Sequence, residues 1–433
     1  MSLTSLFFFV IFVVGCFATL FRSPFYGVLV YEFVYFLNPT SRWWYSGLPD
    51  LRYSYVIVVC ILISFFLNRK SFKGNRFADA PQFKWLLLLG VLVLSSTLWA
   101  VSPVSHQIEA MRFFKLVVFA VLAFKILDSQ QKIKIALYVY LGGIFYVSWY
   151  GWQVGRSGGV RLEGIGGPDT FDANGSAAIV VTAVPLLVFN VLYQKSGVLR
   201  CLSLIVLAFV GNCLVLLNSR GAFIALIFSM AYFGFFIFKE KIDLAVKVKF
   251  LAGILGGICL LIYLADEAFW ERMLTLTNMD PEKGGGHRYL FWMKSFDMLA
   301  DHPLGAGGGG YQFLSPQYLS TEFLTGGTRA VHSTWFQVLT NYGYQGFFAF
   351  VGFVASSFLF SWKVRKIIRG VEDVQNSVQA IALEASFCAL LTACSFISLF
   401  AGELVYWLPF YMGAFGLTIL TSNGLTYRGK IVG

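Results

Sequence analysis

Long stretches of the chain carry no charge, and its polar residues gather in short clusters between them. Leu3–Leu20, Trp85–Val101, Ala222–Phe238 and Leu251–Leu264 are uncharged runs of 14 to 18 residues. With flanking polar or aromatic residues, each approaches the ~20 residues that a helix needs to cross ~30 Å of hydrocarbon. The runs are continuous rather than alternating, which predicts helices and not barrel strands. Spans are expected at 3–21, 24–38, 53–68, 85–101, 113–127, 135–151, 174–193, 201–217, 221–238, 250–265, 335–361, 381–400 and about 404–421. The first two are joined only by Arg22-Ser23-Pro24. They form either a tight hairpin or one broken element, so the expected number is twelve or thirteen.

A chain of 433 residues would ordinarily make two or three soluble domains, but hydrophobic residues reach 58% and charged ones only 13%. Soluble proteins carry about 25% charged residues, and the 18% of aromatics exceeds what one soluble core could hide. The expected class is an all-α polytopic membrane protein. The net charge of +11 would suggest nucleic acid in a soluble protein, yet here the bases sort by loop and no nucleic-acid partner is expected. Connections 68–84, 128–134, 194–200, 239–249 and 362–380, with the tail, hold nineteen of the 33 Lys and Arg residues. The positive-inside rule makes that face cytoplasmic. The opposite face receives 39–52, 102–112, 152–173, 218–220 and the long segment 266–334. This divides the chain into N-terminal transmembrane helices at 1–265, a long outer loop at 266–334, and C-terminal transmembrane helices with a cytoplasmic tail at 335–433. The seven cysteines lie in or beside apolar runs without metal or redox spacing, so no disulfide is expected. The first run lacks a basic leader and a small-residue cleavage site, and a removable signal peptide is not expected.

Four outer-face places could carry chemistry. Arg220, in Asn218-Ser219-Arg220-Gly221, stands where one span ends and the next begins. Guanidinium in hydrocarbon costs ~2.5–3.5 kcal/mol on insertion scales, so Arg220 either snorkels to the interface or clamps an anion. Phosphate suits its two-pronged donor. His287 and Arg288 open an expected helix after Gly284–Gly286, and helix N-termini favour anions. His302-Pro303 ends that helix, and a glycine-rich turn, Gly305–Gly310, follows. Arg329 and His332 end the long loop, with Ser333 or Thr334 as helix cap. His332 at the membrane boundary, with a pKa near ~6.5, would suit a general base. The fourth place is 156–174, where Arg161, Glu163, Asp169, Asp172 and Asn174 lie among glycines.

Familiar alternatives fail on their motifs. Gly305–Gly310 lacks the Lys-Ser/Thr of a phosphate loop and reads as a close-packed turn. The four histidines have no paired metal spacing, no DxD-like pair marks a metal-dependent sugar-nucleotide transferase, and no Ser/His/Asp motif is present. Neither metal nor cofactor is expected. The order of the remaining residues resembles the O-antigen ligase/polymerase superfamily. Ser219-Arg220-Gly221 comes first, then Arg288 with Trp292, then His302-Pro303-Leu304-Gly305-Ala306-Gly307. His332-Ser333-Thr334-Trp335 to Tyr342-Gly343-Tyr344-Gln345-Gly346 completes the set. Phe21-Arg22-Ser23-Pro24-Phe25 to Phe36-Leu37-Asn38-Pro39 is similar to the exosortase-associated O-glycosylation ligase subgroup.

The resemblance implies a multi-pass protein of the bacterial inner membrane with a long periplasmic loop containing short helices. It implies a glycosyltransferase that moves O-antigen or a related glycan from undecaprenyl diphosphate to an acceptor hydroxyl, with lipid A-core as the leading acceptor. A polymerase, or a protein O-oligosaccharyltransferase, would differ in the acceptor. Through the resemblance, Arg220 and Arg288 bind the diphosphate and His332 activates the acceptor. Arg161 joins the diphosphate set, with Asn174, Arg329 and His287 as further substrate contacts. Many members read His-Asn where this chain has His332-Ser333. A lipid-glycan transporter is the rival class; it would favour ionisable residues in mid-span, of which Glu32 and Glu384 are the main ones, and internal repeats, which are not visible.

Overall fold

Backbone amides within hydrocarbon find partners only inside a helix or a closed barrel, and the described residues obey this with helices and no strand, apart from one isolated Thr325–Thr328 bridge. The computed structural model describes residues 2–72, 74–156, 159–165, 169, 172–274, 286–371, 373–425 and 427. The expected turn at Gly284–Gly285, and Lys73, Arg428 and Lys430 among the cytoplasmic bases, lie outside them.

The helices are α1 (Leu3–Phe21), α2 (Pro24–Leu37), α3 (Tyr53–Leu67), α4 (Gln82–Ser95), α5 (Pro103–Ile126) and α6 (Gln130–Val154). Next come α7 (Ala173–Val180), α8 (Ala183–Tyr193), α9 (Gly197–Leu217), α10 (Arg220–Lys239), α11 (Leu244–Leu264) and α12 (Glu267–Leu274). The last five are α13 (Gly286–Asp301), α14 (Gly310–Tyr318), α15 (Thr334–Ile368), α16 (Val374–Cys394) and α17 (Glu403–Ser422). Among the described residues, nine helical stretches are long and apolar enough to cross a membrane, with α7 and α8 counted as one. The other expected spans coincide with helices of different character. The helix α2 has 14 residues, α3 and α4 are short and apolar, and α5 carries Glu109, Arg112, Lys115 and Lys125. All seven cysteines are free.

The α1–α2 junction is a hairpin. Ser23 accepts from the Phe25 amide at 3.3 Å, Pro24 occupies the first helical turn, and Gly15 faces Val30 as the helices run back along each other. The core is centred on α17, buried from Glu403 to Leu420 and packed against α5, α6, α15 and α16. In contrast, α1 and α11 turn most of their apolar surface outward, as lipid-facing helices do.

Two expectations about connections are corrected. Residues 102–112 are not simply an outer loop: Pro103, whose fixed φ suits a first helical turn, starts α5 there. Arg365, expected among the solvated cytoplasmic bases, is only 1% exposed. Its Nε donates to Glu384 at 2.9 Å, the Tyr232 hydroxyl donates to the same carboxylate at 2.7 Å, and Glu240 lies 3.7 Å from Arg365. This network ties α10, α15 and α16 together, since a buried charge persists when paired and hydrogen-bonded. Glu384 therefore has fixed structural partners, whereas neither carboxylate oxygen of the buried Glu32 has one among the described residues.

Candidate functional site

The site is built on the junction between α9 and α10. Asn218, in the left-handed conformation (φ 48°), ends α9, and the Ser219 hydroxyl accepts from the Ala222 amide at 3.5 Å to begin α10. Arg220 is thus the first residue of α10. A helix ends with carbonyls that have no intrahelical donor and a partial negative charge, and three arginines converge on those of α9. Arg156 donates to Val215 and Leu216, Arg161 Nε to Leu217 at 3.2 Å, and Arg272 Nε to Asn218 at 2.9 Å. Arg156 also pairs with Asp266.

The loop before α7 is fastened to the same junction. Leu162 N–H donates to the Leu216 carbonyl at 2.8 Å. Asn174 Oδ1 accepts from both Arg161 Nη2 and Ser219 Oγ, each at 2.9 Å. Asp172 caps α7 by accepting from the Asn174 and Gly175 amides, and Glu163 accepts from Ala173 N–H at 2.9 Å while lying 3.5 Å from Arg161. Asn174 therefore acts locally as the bridge that aligns Arg161 with the start of α10.

The long segment has its own small core of Phe291, Met298, Tyr311, Leu314 and Val331, and this core sets Arg288 and His332 relative to each other. Trp292 of α13 stacks on Phe336 of α15, with ring centroids 5.5 Å apart. The glycine turn is close-packed, as expected. Ala306 and Gly307 amides donate to the carbonyls of Thr340 and Asn341, where α15 is broken by Gly343 at φ 67°. A Cβ on Gly305, itself at φ 87°, would lie 2.4 Å from the Gly343 nitrogen, so only glycine fits there. His302 ends α13 with its carbonyl accepting from Gly305 N–H at 2.8 Å. His106, buried in α5, accepts from the Gly308 amide at Nδ1 (2.8 Å) and meets the Thr97 hydroxyl at Nε2 (3.1 Å), so it is a structural clasp on the turn.

Electrostatics bring five guanidiniums together. Burial lowers the Arg288 pKa, and Arg220, Arg161 and Arg329 lower it further. Burial together with Arg161, Arg220 and Arg288 brings Arg272 down to about 10. Arg161 is lowered chiefly by burial, with Glu163 and Asp172 opposing. Arg329 lies over the Phe291 ring at 4.9 Å, donates to the Thr325 hydroxyl at 2.8 Å, and keeps a buried Nε without a partner among the described residues. Among the described residues, the cluster holds five cations against Glu163 and Asp172, and that imbalance favours an anion carrying several charges.

His332 precedes α15 in the left-handed conformation, φ 52°, and makes no hydrogen bond to a described residue. Its pKa departs from the ordinary value expected at a membrane boundary. Burial, then the positive fields of Arg288 and Arg329, bring it down to about 4, with Asp172 opposing. The imidazole is therefore neutral at pH 7 and able to accept a proton. Ser333 stands at the N-cap position without a side-chain capping bond; Thr334 instead joins the Ile397 carbonyl and the Leu399 amide. His287 packs edge-on against Phe323, with ring centroids 5.0 Å apart. Arg272 was not singled out by the sequence, although it is the lone base between Lys249 and Lys283, on a short helix following a span. Among the described residues no group of three His, Cys, Asp or Glu could hold a metal ion.

Comparison with known proteins divides the site between two matches. Residues 3–193, which supply Arg161, Glu163, Asp172 and Asn174, match a family of unknown function. No curated protein matches the chain. Residues 204–351 match the family model described as O-Antigen ligase. The segment that supplies Arg220, Arg272, Arg288, Arg329 and His332 is therefore the part of the chain that is similar to the O-antigen ligase family.

Proposed function

We propose that this protein is a glycan ligase of the bacterial inner membrane. It transfers O-antigen or a related glycan from undecaprenyl diphosphate to an acceptor hydroxyl, with lipid A-core as the leading acceptor, on the periplasmic face. The observation that carries this reading is the convergence of five arginines beside His332, which burial and the fields of Arg288 and Arg329 keep neutral. The arginines bind the diphosphate and stabilise the charge that grows on it as the anomeric C–O bond breaks. His332 takes the proton of the acceptor hydroxyl, whose oxygen attacks the anomeric carbon. Undecaprenyl diphosphate leaves with the bonding electron pair, and direct displacement inverts the anomeric centre. Arg161 and Asn174 belong to the diphosphate subsite, because Asn174 ties Arg161 to Ser219 beside Arg220. Polymerisation would use the same donor chemistry with a carrier-linked glycan as acceptor. Purified protein supplied with lipid-linked glycan and separate acceptors tests the assignment: transfer to lipid A-core supports it, and consumption of donor only with a second carrier-linked glycan replaces ligase by polymerase.

The mechanism requires the cluster to face the periplasm. In a variant whose native cysteines are replaced, a cysteine at exposed Thr321 should react with an impermeant thiol reagent applied outside intact cells, and one at exposed Lys70 should not. The opposite labelling pattern would remove the donor from the site.

The pKa of His332 also sets a pH signature. Its neutral form predominates above about pH 4 in the free protein, so kcat/KM should fall only as pH approaches that value. Bound diphosphate offsets the field of Arg288 and raises the histidine pKa, so kcat should begin to fall at a higher pH than kcat/KM does. Coincident acid limbs would contradict coupling between the base and the arginine cluster.

A further inference from the structure

A cavity of about 490 Å³ lies at the end of the bundle where α6 begins, α8 ends and α16 begins. This is the end marked by the basic connections, away from the arginine cluster. Its wall is rich in amides: Gln131, Asn190, Gln194 and Gln379 represent the three helices, and its floor includes Leu141 and Phe415. Lys134 is the one charged residue among the described residues of its lining, and Asp373, next to the wall, accepts from the side-chain amide of the lining Asn376 at 2.7 Å. Gln194 Nε2 donates to the Tyr138 hydroxyl at 2.6 Å, while Asn190, Gln131 and Gln379 make no side-chain hydrogen bond to a described residue. The Tyr193 hydroxyl, also in the lining, is buried without a partner among the described residues.

The buried Tyr193 hydroxyl is costly unless a ligand or water satisfies it, and the half-buried Asn190 and Gln379 and the exposed Gln131 keep amide donors and acceptors open to a ligand. An amide offers both donors and acceptors, as a hydroxyl group does, so this wall matches neutral hydroxyls better than a cation or a multiply charged anion. One lysine can balance one phosphate, and the apolar floor suits carbon surface. We propose that this cavity binds a hydroxyl-rich glycerol or sugar headgroup carrying no more than one phosphate. The same chemistry is available from a phospholipid of the adjoining leaflet or from a soluble sugar or glycerol phosphate.

The test uses the full chain in phosphatidylcholine nanodiscs, titrated with phosphatidylglycerol bearing a fluorescent acyl chain, and separately with radiolabelled glycerol 1-phosphate. Saturable binding of the lipid alone identifies a lipid source, and saturable binding of the free phosphate identifies a soluble one. In either case Asn190→Leu combined with Gln379→Leu should weaken binding about tenfold, as expected for the loss of roughly two hydrogen bonds. Gln131→Leu, at the exposed rim, gives a second reading in a position where folding is least disturbed. Arg288→Ala should leave binding unchanged, which separates this site from the transfer site. Absence of saturable binding for both probes, or wild-type affinity in the amide variants, overturns the proposal.

Discussion

Arg288→Ala will slow glycan transfer about a hundredfold while the protein still inserts and folds. Removal of a donor that stabilises transition-state charge costs about 3 kcal/mol, and Arg288 is well placed for that role. Arg161 and Arg272 each spend Nε on a carbonyl at the end of α9, whereas the Arg288 guanidinium donates to no described residue. It stands in the first turn of α13, where the helix dipole adds to its charge. Its depressed pKa reflects burial and three like-charged neighbours, a field that an incoming diphosphate relieves. Arg220→Ala should have a comparable effect, because Arg220 opens α10 on the other side of the cluster. Lysine should rescue only part of the loss, since it lacks the planar fork. The measurement is single-turnover transfer from lipid-linked glycan in detergent, with thermal melting as the control for folding. Near-normal turnover in both alanine variants would reduce these residues to interface anchors.

How far the sequence could be read follows from what each feature depends on. The spans depend on local composition, and the uncharged runs coincide with helices even where α2 and α5 depart from a simple transmembrane pattern. The glycine turn was legible because six successive small residues allow close approach, and Gly305 does meet the break at Gly343. Arg220, Arg288 and His332 were readable as lone polar groups at helix starts. What holds them together was not readable, because it is tertiary. Arg161 and Arg272 reach the carbonyls of α9 from segments on either side of it in the chain. The histidine pKa likewise depends on burial and on Arg288 and Arg329, which no local pattern reveals. His106 had no neighbouring cluster in sequence, yet its Nδ1 accepts from Gly308, 202 positions later. Arg365 counted as a loop base but is buried beside Glu384. In each case the decisive partner is distant along the chain.

His332→Asn should abolish more of the activity than any other single substitution considered, by about 10²–10⁴-fold, the range for loss of a positioned base. Asparagine is the better probe than alanine because residue 332 has φ 52°, a left-handed conformation that asparagine tolerates and alanine disfavours. A loss in His332→Asn with an unchanged melting temperature therefore reports chemistry rather than backbone strain. His332→Ala should lose as much activity and some stability as well. Binding of the carrier diphosphate should persist in both variants, because the arginines hold it. The higher-pH fall in kcat should disappear from the residual rate, since no imidazole remains to titrate there. His287→Ala serves as the comparison: its ring packs edge-on against Phe323, so transfer should stay within about threefold of wild type. Full turnover in His332→Asn together with its loss in His287→Ala would move the base from the start of α15 to the start of α13. The arginine cluster would keep its proposed role in that outcome, because the proposed diphosphate subsite draws on α10, α12, α13 and the loop before α7, independently of which histidine accepts the proton.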